Sequence, residues 1–156
     1  MVAEIEDVKK RQAKTRLVTQ KMKRILVHFR SQMDEKLRPR GVTTAQLQVL
    51  KAIQTEPGMS GAQLARFCYV TPQSAQALLK GLEDDGWIIR SKDAANERIL
   101  TAALTSAGKK LMVTAERDAK VIEARLWKGV GEDSIDQLNE LLEQCLANLG
   151  PEPDDR

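Results

Sequence analysis

The sequence predicts a mainly α-helical protein that contains one short β-hairpin. Apolar residues recur at spacings of three and four along most of the chain, which is the period of one helix face. Capping residues and Gly or Pro breaks divide this pattern into separate helices. Two short apolar segments on either side of a polar turn interrupt the helical pattern, and they predict the hairpin.

The bulk composition excludes several classes of protein. The chain has 156 residues, 42% of them apolar and 30% charged, which is typical of a folded globular domain and not of a disordered chain. No apolar run approaches the roughly 20 residues that cross a bilayer, and the N-terminus lacks a signal-like apolar stretch. Cys68 and Cys145 lie far apart and form no CxxC pair, so we expect no disulfide framework and no metal site. No cofactor is predicted.

Charge is distributed unevenly along the chain. Residues 1–40 hold 12 basic and 5 acidic residues, a net charge of +7, whereas residues 131–156 hold 1 and 8, a net charge of −7. A basic segment of this kind can serve nucleic acid or a membrane surface. It can equally pair with the acidic end of the protein itself, and the composition leaves these three alternatives open.

The predicted helices on the N-terminal side begin with one of unusual length. It runs over about residues 7–37, and Pro39 and Gly41 end it. Its long apolar stripe needs a partner to cover it. A second helix starts at the capping box formed by Thr43 and Gln46 and ends at residues 57–58.

Two further helices are predicted in series. Ser60 and Gln63 form a second capping box, which opens a short helix over residues 61–67. After a three-residue turn, Thr71 caps another helix, with Pro72 at its first position, and Gly86 ends it. This order of a short helix, a tight turn and a second helix is that of a helix-turn-helix motif.

The hairpin and two last helices complete the prediction. Residues 87–90 and 98–104 read as strands on either side of a polar turn at 91–97. Thr105 caps a long helix over about 106–128, and a last helix covers about 133–149. The predicted divisions are an N-terminal helix at 1–40, a winged helix-turn-helix lobe at 41–104, C-terminal helices at 105–150 and a tail at 151–156; the resemblance described below implies that the helices at 1–40 and 105–150 serve dimerisation.

The second helix of the motif has an unusual polar face. Its side chains are small or carry amides, whereas a solvated face is typically rich in Glu, Lys and Arg. Such a helix can enter the DNA major groove, where Gln pairs with adenine and an Ala methyl contacts thymine. The residues predicted to contact DNA here are Pro72, Gln73, Ser74, Gln76, Ala77 and Lys80. A plain solvated helix face is the alternative.

Three segments combine the helix-turn-helix with the hairpin that follows it, namely VTTAQLQVLKAI, GMSGAQLARFCYVTPQSAQALLKGLEDDGWIIR and DAANERILTAALTSAGKKLM. In these segments the chain resembles the MarR family of bacterial transcriptional regulators. In the wing, Asp93, Arg98, Leu104, Thr105 and Gly108 match the pattern of the family. The match is close over residues 42–112 and extends to the outer helices as a pattern.

The resemblance implies a homodimer that binds pseudo-palindromic double-stranded DNA and represses or activates nearby genes, and we expect a repressor. The absence of a signal-like or membrane-spanning segment predicts that it acts in the cytoplasm, at the nucleoid. The resemblance adds Ser60, Thr71, Arg90, Lys92 and Arg98 to the expected DNA contacts. Many members respond to small phenolic or aromatic ligands. The implied ligand residues are His28, Phe29, Met33, Leu47 and Met112. The implied dimer interface contains Leu17, Ile25, Leu138, Leu142 and Leu146, and the basic and acidic ends can pair across it.

This sequence departs from the family at several DNA-facing positions. Members often carry Arg where this chain has Ala77, and Arg at the wing tip where it has Glu97. Asn96 and Ala94 also replace the usual Asp and Pro. The resemblance implies that Arg98 braces the wing by pairing with Asp93. Arg90 and Lys92 are then the expected phosphate contacts.

Three other functions remain as alternatives. Oxidation of Cys68, which lies just before the second helix of the motif, would make the protein a redox-sensing repressor. A winged helix without its base-reading Arg residues would be a protein-interaction module. The basic segment at 9–24 would suit a membrane surface, although dimerisation explains its apolar face more simply. No enzyme motif is present, so no catalysis is predicted.

Overall fold

The computed structural model describes residues 2–96 and 98–150, with side chains from Ile5 onward. The elements in chain order are α1 Val2–Leu37, α2 Thr44–Thr55, α3 Gly61–Phe67, α4 Pro72–Asp84, β1 Ile88–Lys92, β2 Leu100–Leu104, α5 Ser106–Leu126 and α6 Glu132–Leu149. The mainly helical fold with one hairpin is therefore confirmed. Glu97 and the predicted tail at 151–156 lie outside the described residues. None of the described helices is both long enough and apolar enough to span a membrane.

The first compact unit covers residues 1–44 and consists mainly of α1. A short 3-10 turn, Arg38–Arg40, follows the helix, and Gly41 adopts a left-handed conformation with φ 68°. The Asp34 carboxylate accepts a hydrogen bond from the Thr44 N–H at 3.1 Å, and the Arg30 Nε donates to the Thr44 hydroxyl at 3.1 Å. These bonds fix the chain where it leaves α1. The helix begins at Val2, five residues before its predicted start.

The second unit, residues 45–156, contains the helix-turn-helix motif. The predicted capping box of α3 is confirmed, because Ser60 N–H donates to Gln63 at 2.8 Å and Gln63 N–H donates to Ser60 Oγ at 3.3 Å. The cap of α4 is confirmed as well, since Ser74 N–H donates to Thr71 Oγ1 at 3.1 Å. In the turn between them Tyr69 has φ 54°, a conformation that side chains other than Gly adopt rarely.

The hairpin is antiparallel, with Ile88 opposite Leu104 and Lys92 opposite Leu100. Its strands are displaced from the predicted bounds. β1 extends to Lys92, two residues into the predicted turn, and β2 begins at Leu100 instead of at residue 98. In the turn, the Asp93 and Asn96 side chains accept hydrogen bonds from backbone N–H groups two or three residues further on.

The core of the second unit is built from aliphatic side chains, as the low aromatic content of 3% requires. Its fully buried members include Val49, Leu50, Leu64, Leu79, Leu82, Ile88 and Met112. On α4, Ala75, Leu79 and Leu82 are buried as predicted, whereas Leu78 is half-buried. Burial of α4 on this one side leaves its other side at the surface.

α5 starts against the entry of the hairpin. The Thr105 hydroxyl caps the helix by accepting from Gly108 N–H at 3.0 Å, and it donates to the Gly86 carbonyl at 2.8 Å. Gly108 is buried, and a Cβ on it would overlap the carbonyl oxygen of Trp87. The close approach of α5 to the segment before β1 therefore requires glycine at this position.

Candidate nucleic-acid interface

The outer side of α4 is an exposed surface that combines small and amide side chains. Pro72, Gln73, Ser74, Gln76, Ala77 and Lys80 are all exposed. They share this surface because the buried residues of α4 lie on the opposite side of the helix. No bulky aliphatic or aromatic residue projects from its first two turns. A surface of this shape fits the floor of a major groove.

The start of α4 is held by a pair of hydroxyl groups. Thr71 Oγ1 accepts from Ser74 N–H and donates to Ser74 Oγ at 2.9 Å. Both predicted DNA contacts therefore already take part in the helix cap. The Ser74 hydroxyl keeps its own proton for donation, so it can still contact a phosphate or a base edge.

The two glutamines of α4 have different surroundings. Gln76 Oε1 accepts a hydrogen bond from Arg90 Nη2 at 3.2 Å, and its Nε2 lies against Gly61 at the start of α3. The Gln73 side chain is exposed and forms no hydrogen bond with any other described residue. A bidentate pair with adenine uses both ends of the amide. Gln73 is therefore poised to make such a pair, whereas Gln76 must first release Arg90.

The same contact changes the role expected for Arg90. Its side chain is half-buried and bonded to Gln76, so it ties β1 to α4 instead of projecting freely toward a phosphate. Sequence reasoning missed the part played by Gly61, where any side chain would meet Gln76. The only signal in the sequence was a small residue at the first position of α3.

Lys80, at the far end of this surface, forms an ion pair. Its Nζ lies 2.9 Å from Asp84 Oδ2, and the hydrogen bond and charge of Asp84 raise the pKa of Lys80. The lysine is fully charged at neutral pH, but a phosphate must compete with Asp84 for it. The α4 surface therefore offers little unpaired positive charge.

The wing turn is organised differently from the family pattern. Asp93 Oδ1 accepts from the N–H groups of Ala95 and Asn96, each at 2.9 Å. Among the described residues Asp93 and Arg98 form no ion pair, so the expected bracing contact is not formed. Backbone hydrogen bonds satisfy the aspartate, and the Arg98 side chain is exposed at the wing. Lys92 is exposed as well.

Ser60 lies where α3 meets the hairpin. Its hydroxyl caps α3, and its backbone forms an isolated antiparallel bridge with Thr101 of β2. The residue is half-buried. These contacts give Ser60 a structural role, in addition to the DNA contact that the resemblance implies.

The five residues predicted to bind a ligand differ in exposure. Met33 and Met112 are buried, Phe29 and Leu47 are half-buried, and His28 is exposed. A separate groove of about 800 Å³ lies between α2 and α3, and Lys51, Met59, Arg66 and Tyr69 are among its lining residues. None of the predicted ligand residues lines this groove.

Cys68, in the turn of the motif, is buried. Burial raises the pKa of the Cys68 thiol, which keeps it protonated at neutral pH. Oxidants react with the thiolate, so a buried, protonated thiol is a poor sensor. The geometry therefore argues against Cys68 as a redox switch. Cys145 of α6 is exposed.

Comparison with known proteins identifies the family. The sequence model of the MarR family matches residues 40–99. The HTH-type transcriptional repressor Mb2911 of Mycobacterium bovis is 35% identical over 98 residues, which are 63% of this chain and 70% of that protein. The repressor Rv2887 of Mycobacterium tuberculosis matches to the same extent.

Solved structures share the fold. The transcriptional regulator SlyA superposes with a TM-score of 0.76 at 23% identity, over 85% of this chain and 93% of that one. A MarR-family regulator from Silicibacter pomeroyi gives a TM-score of 0.71 at 22% identity, over 85% and 90%. These identities show the winged-helix fold alone. Together with the matches in sequence, they confirm the resemblance, and the chain belongs to the MarR family of transcriptional regulators.

Proposed function

We propose that the protein is a repressor that binds pseudo-palindromic double-stranded DNA as a homodimer and releases it when a small aromatic ligand binds. The observation that carries the proposal is the α4 surface, where the exposed Gln73 side chain has no hydrogen bond to any described residue. Membership of a regulator family and similarity to named repressors support it. The site of action would be the cytoplasmic nucleoid, and no catalytic activity is proposed.

Two uncovered apolar stripes support the homodimer. α6 contains no buried residue, and Leu138, Leu141 and Leu146 are 40%, 59% and 60% exposed. On α1, Ile25 and Leu26 are similarly exposed. Folded monomers rarely expose apolar surface in continuous stripes of this kind. A second copy of the chain offers the same stripes, and a two-fold interface would cover both.

The proposed dimer contacts need one adjustment on α1. At about 100° per residue, Ile25 lies on the same side as Val18, Met22 and Phe29, whereas Leu17 lies about 100° away among basic side chains. Leu17 would therefore sit at the rim of an interface. On α6, the predicted residues Leu138, Leu142 and Leu146 all lie on one side.

A ligand response is proposed on a relative's example. The structure of CouR from Rhodococcus jostii, which has the same fold with a TM-score of 0.70, is bound to p-coumaroyl-CoA. In this chain we propose His28, Phe29, Met33, Leu47 and Met112 as the ligand residues. A ligand that binds only the native state raises the melting temperature. An unchanged melting temperature with saturating salicylate-like acids would count against this part of the proposal.

Replacing Gln73 by alanine tests the reading of bases by α4. On a duplex selected from random sequences, Gln73→Ala should weaken specific binding about 5- to 150-fold, which corresponds to about 1–3 kcal/mol for one bidentate base contact. Affinity for a scrambled duplex should stay the same, because phosphate contacts are kept. Fluorescence anisotropy measures both affinities.

Gln76→Ala is the matched control, since it removes the same side chain three residues further along α4. Because Arg90 holds the Gln76 amide, its loss should reduce specific affinity less than the loss of Gln73. Equal losses for the two variants, or no loss for Gln73→Ala, would contradict the assignment.

A further inference from the structure

The first helix carries positive charge along most of its length. Residues 8–33 contain no acidic residue. Its middle portion holds Lys9, Lys10, Arg11, Lys14, Arg16, Lys21, Lys23 and Arg24, all of them exposed. Such a density of one sign of charge is costly for a helix by itself, since like charges one turn apart repel. An external polyanion would relieve this repulsion.

These charges lie on one side of the helix. At about 100° per residue, all of them except Arg11 fall within one half of the helix surface. The apolar residues Val18, Met22, Ile25 and Phe29 lie on the opposite half, together with Arg11. We call one set of residues the basic face of α1: Lys9, Lys10, Lys14, Arg16, Lys21, Lys23 and Arg24. A dimer that covers the apolar side would leave this basic face open to solvent.

Among the side chains that the structure describes, few pair with the basic face of α1. Lys10 lies 3.4 Å from Glu6, one turn before it. The other six side chains of the face form no ion pair with any residue that the structure describes. The α4 surface shows the opposite situation, because Lys80 is paired with Asp84 and Arg90 is bonded to Gln76. Of these two surfaces, α1 therefore holds far more unpaired positive charge.

We propose that the basic face of α1 is a second DNA-binding surface, which holds the phosphate backbone of a duplex without reading its sequence. Lys9 and Arg24 are separated by about 22 Å along the helix axis, at about 1.5 Å per residue. A duplex presents one phosphate charge per about 1.7 Å, or about 13 charges over that length. The proposal rests on the proposed function because its ligand is duplex DNA, but it does not require α4 to read bases.

Two other occupants fit this face less well. The acidic side of α6 in another copy offers only Glu132, Asp133, Asp136, Glu140 and Glu143, far fewer charges than a duplex presents. A membrane-surface helix buries its apolar side among lipids, but that side of α1 is the one proposed to be covered by the dimer.

The test replaces Lys14, Lys21 and Lys23 together by glutamine and measures affinity for a duplex of random sequence over a range of salt concentrations. We expect the slope of log K against log salt to become shallower by up to about 2.7 for each basic face that contacts the duplex, at about 0.9 for each phosphate that the variant no longer neutralises. Affinity near 0.1 M salt should fall at least about tenfold. The replacement of the same residues by arginine is the matched control and should keep the slope, because arginine keeps the three positive charges. Lys, Arg and Gln have similar helix propensities, so neither set of substitutions should disturb α1.

Arg11→Gln is the control for position, since it removes one charge from the opposite side of the same helix, and it should leave the slope unchanged. An unchanged slope for the glutamine triple variant would overturn the proposal. The proposal would also be overturned if the glutamine triple variant kept its full affinity for DNA but lost binding to anionic vesicles or assembly between dimers. Failure of the proposed function appears separately, as the absence of any preferred DNA sequence.

Discussion

Replacing Gly108 by alanine should lower the free energy of unfolding by about 2–4 kcal/mol, which is at the upper end of the cost of overfilling a packed site. The added Cβ would overlap the carbonyl oxygen of Trp87. That carbonyl cannot move away easily, because it accepts a hydrogen bond from Thr105 N–H at 3.1 Å and lies 3.1 Å from Thr105 Oγ1, whose one proton it shares with the Gly86 carbonyl. Separation of α5 from β1 would break these bonds and weaken the cap of α5.

Urea denaturation at a fixed protein concentration measures this effect, since dimer stability depends on concentration. Gly131→Ala is the matched control, because its φ of −75° suits alanine and nothing lies within 4 Å of the added Cβ. Gly131 is the N-cap residue of α6, where alanine is less favourable than glycine, so this control should cost no more than about 1 kcal/mol. If the two variants were equally stable, the result would contradict the claim that α5 lies too close to Trp87 for any side chain at position 108.

A double replacement of Leu138 and Leu146 by aspartate should convert the protein into a folded monomer that binds its operator at least about 100-fold more weakly. Both leucines are exposed on the single chain, so the substitutions cost little before association. In a dimer they would bury charges without partners, at a cost of several kcal/mol, and a cost of about 4 kcal/mol would raise the dimer dissociation constant about 1,000-fold. The monomer would keep only one half-site contact.

Sedimentation measures the mass, and circular dichroism tests whether the variant is folded. Gln144→Asp is the control, because Gln144 lies on the polar side of α6 and its replacement adds a charge that stays in solvent. A wild-type monomer, or a double variant that remains a dimer, would contradict the proposed interface.

The features that could be predicted from the sequence are those that depend on neighbours a few residues away. The caps at Ser60, Thr71 and Thr105 were predicted because each hydroxyl bonds to a backbone N–H three residues on. Apolar spacing predicted the helices because residues three and four positions apart lie on the same face of a helix. The wing strands were displaced because Asp93 and Asn96 bond to backbone N–H groups two or three residues further on, a choice that strand patterns do not reveal.

The differences within the candidate site depend on contacts between distant residues. Gln73 and Gln76 look alike in the sequence, but only Gln76 meets Arg90, which lies 14 residues away. The packing of Gln76 against Gly61 likewise joins two helices. The missing pair between Asp93 and Arg98 has a local cause instead, since the Ala95 and Asn96 N–H groups satisfy the aspartate.

Sequence-specific binding of duplex DNA by the wild-type dimer is the property on which the proposed function depends. Its most direct test is fluorescence anisotropy near physiological salt, with the DNA upstream of the protein's own gene and a scrambled duplex of equal length. We predict that specific binding is tighter by at least about 1,000-fold. Equal, weak binding to both duplexes, followed by a selection from random DNA that enriches no sequence, would contradict the proposed function and favour a winged helix used for protein contacts.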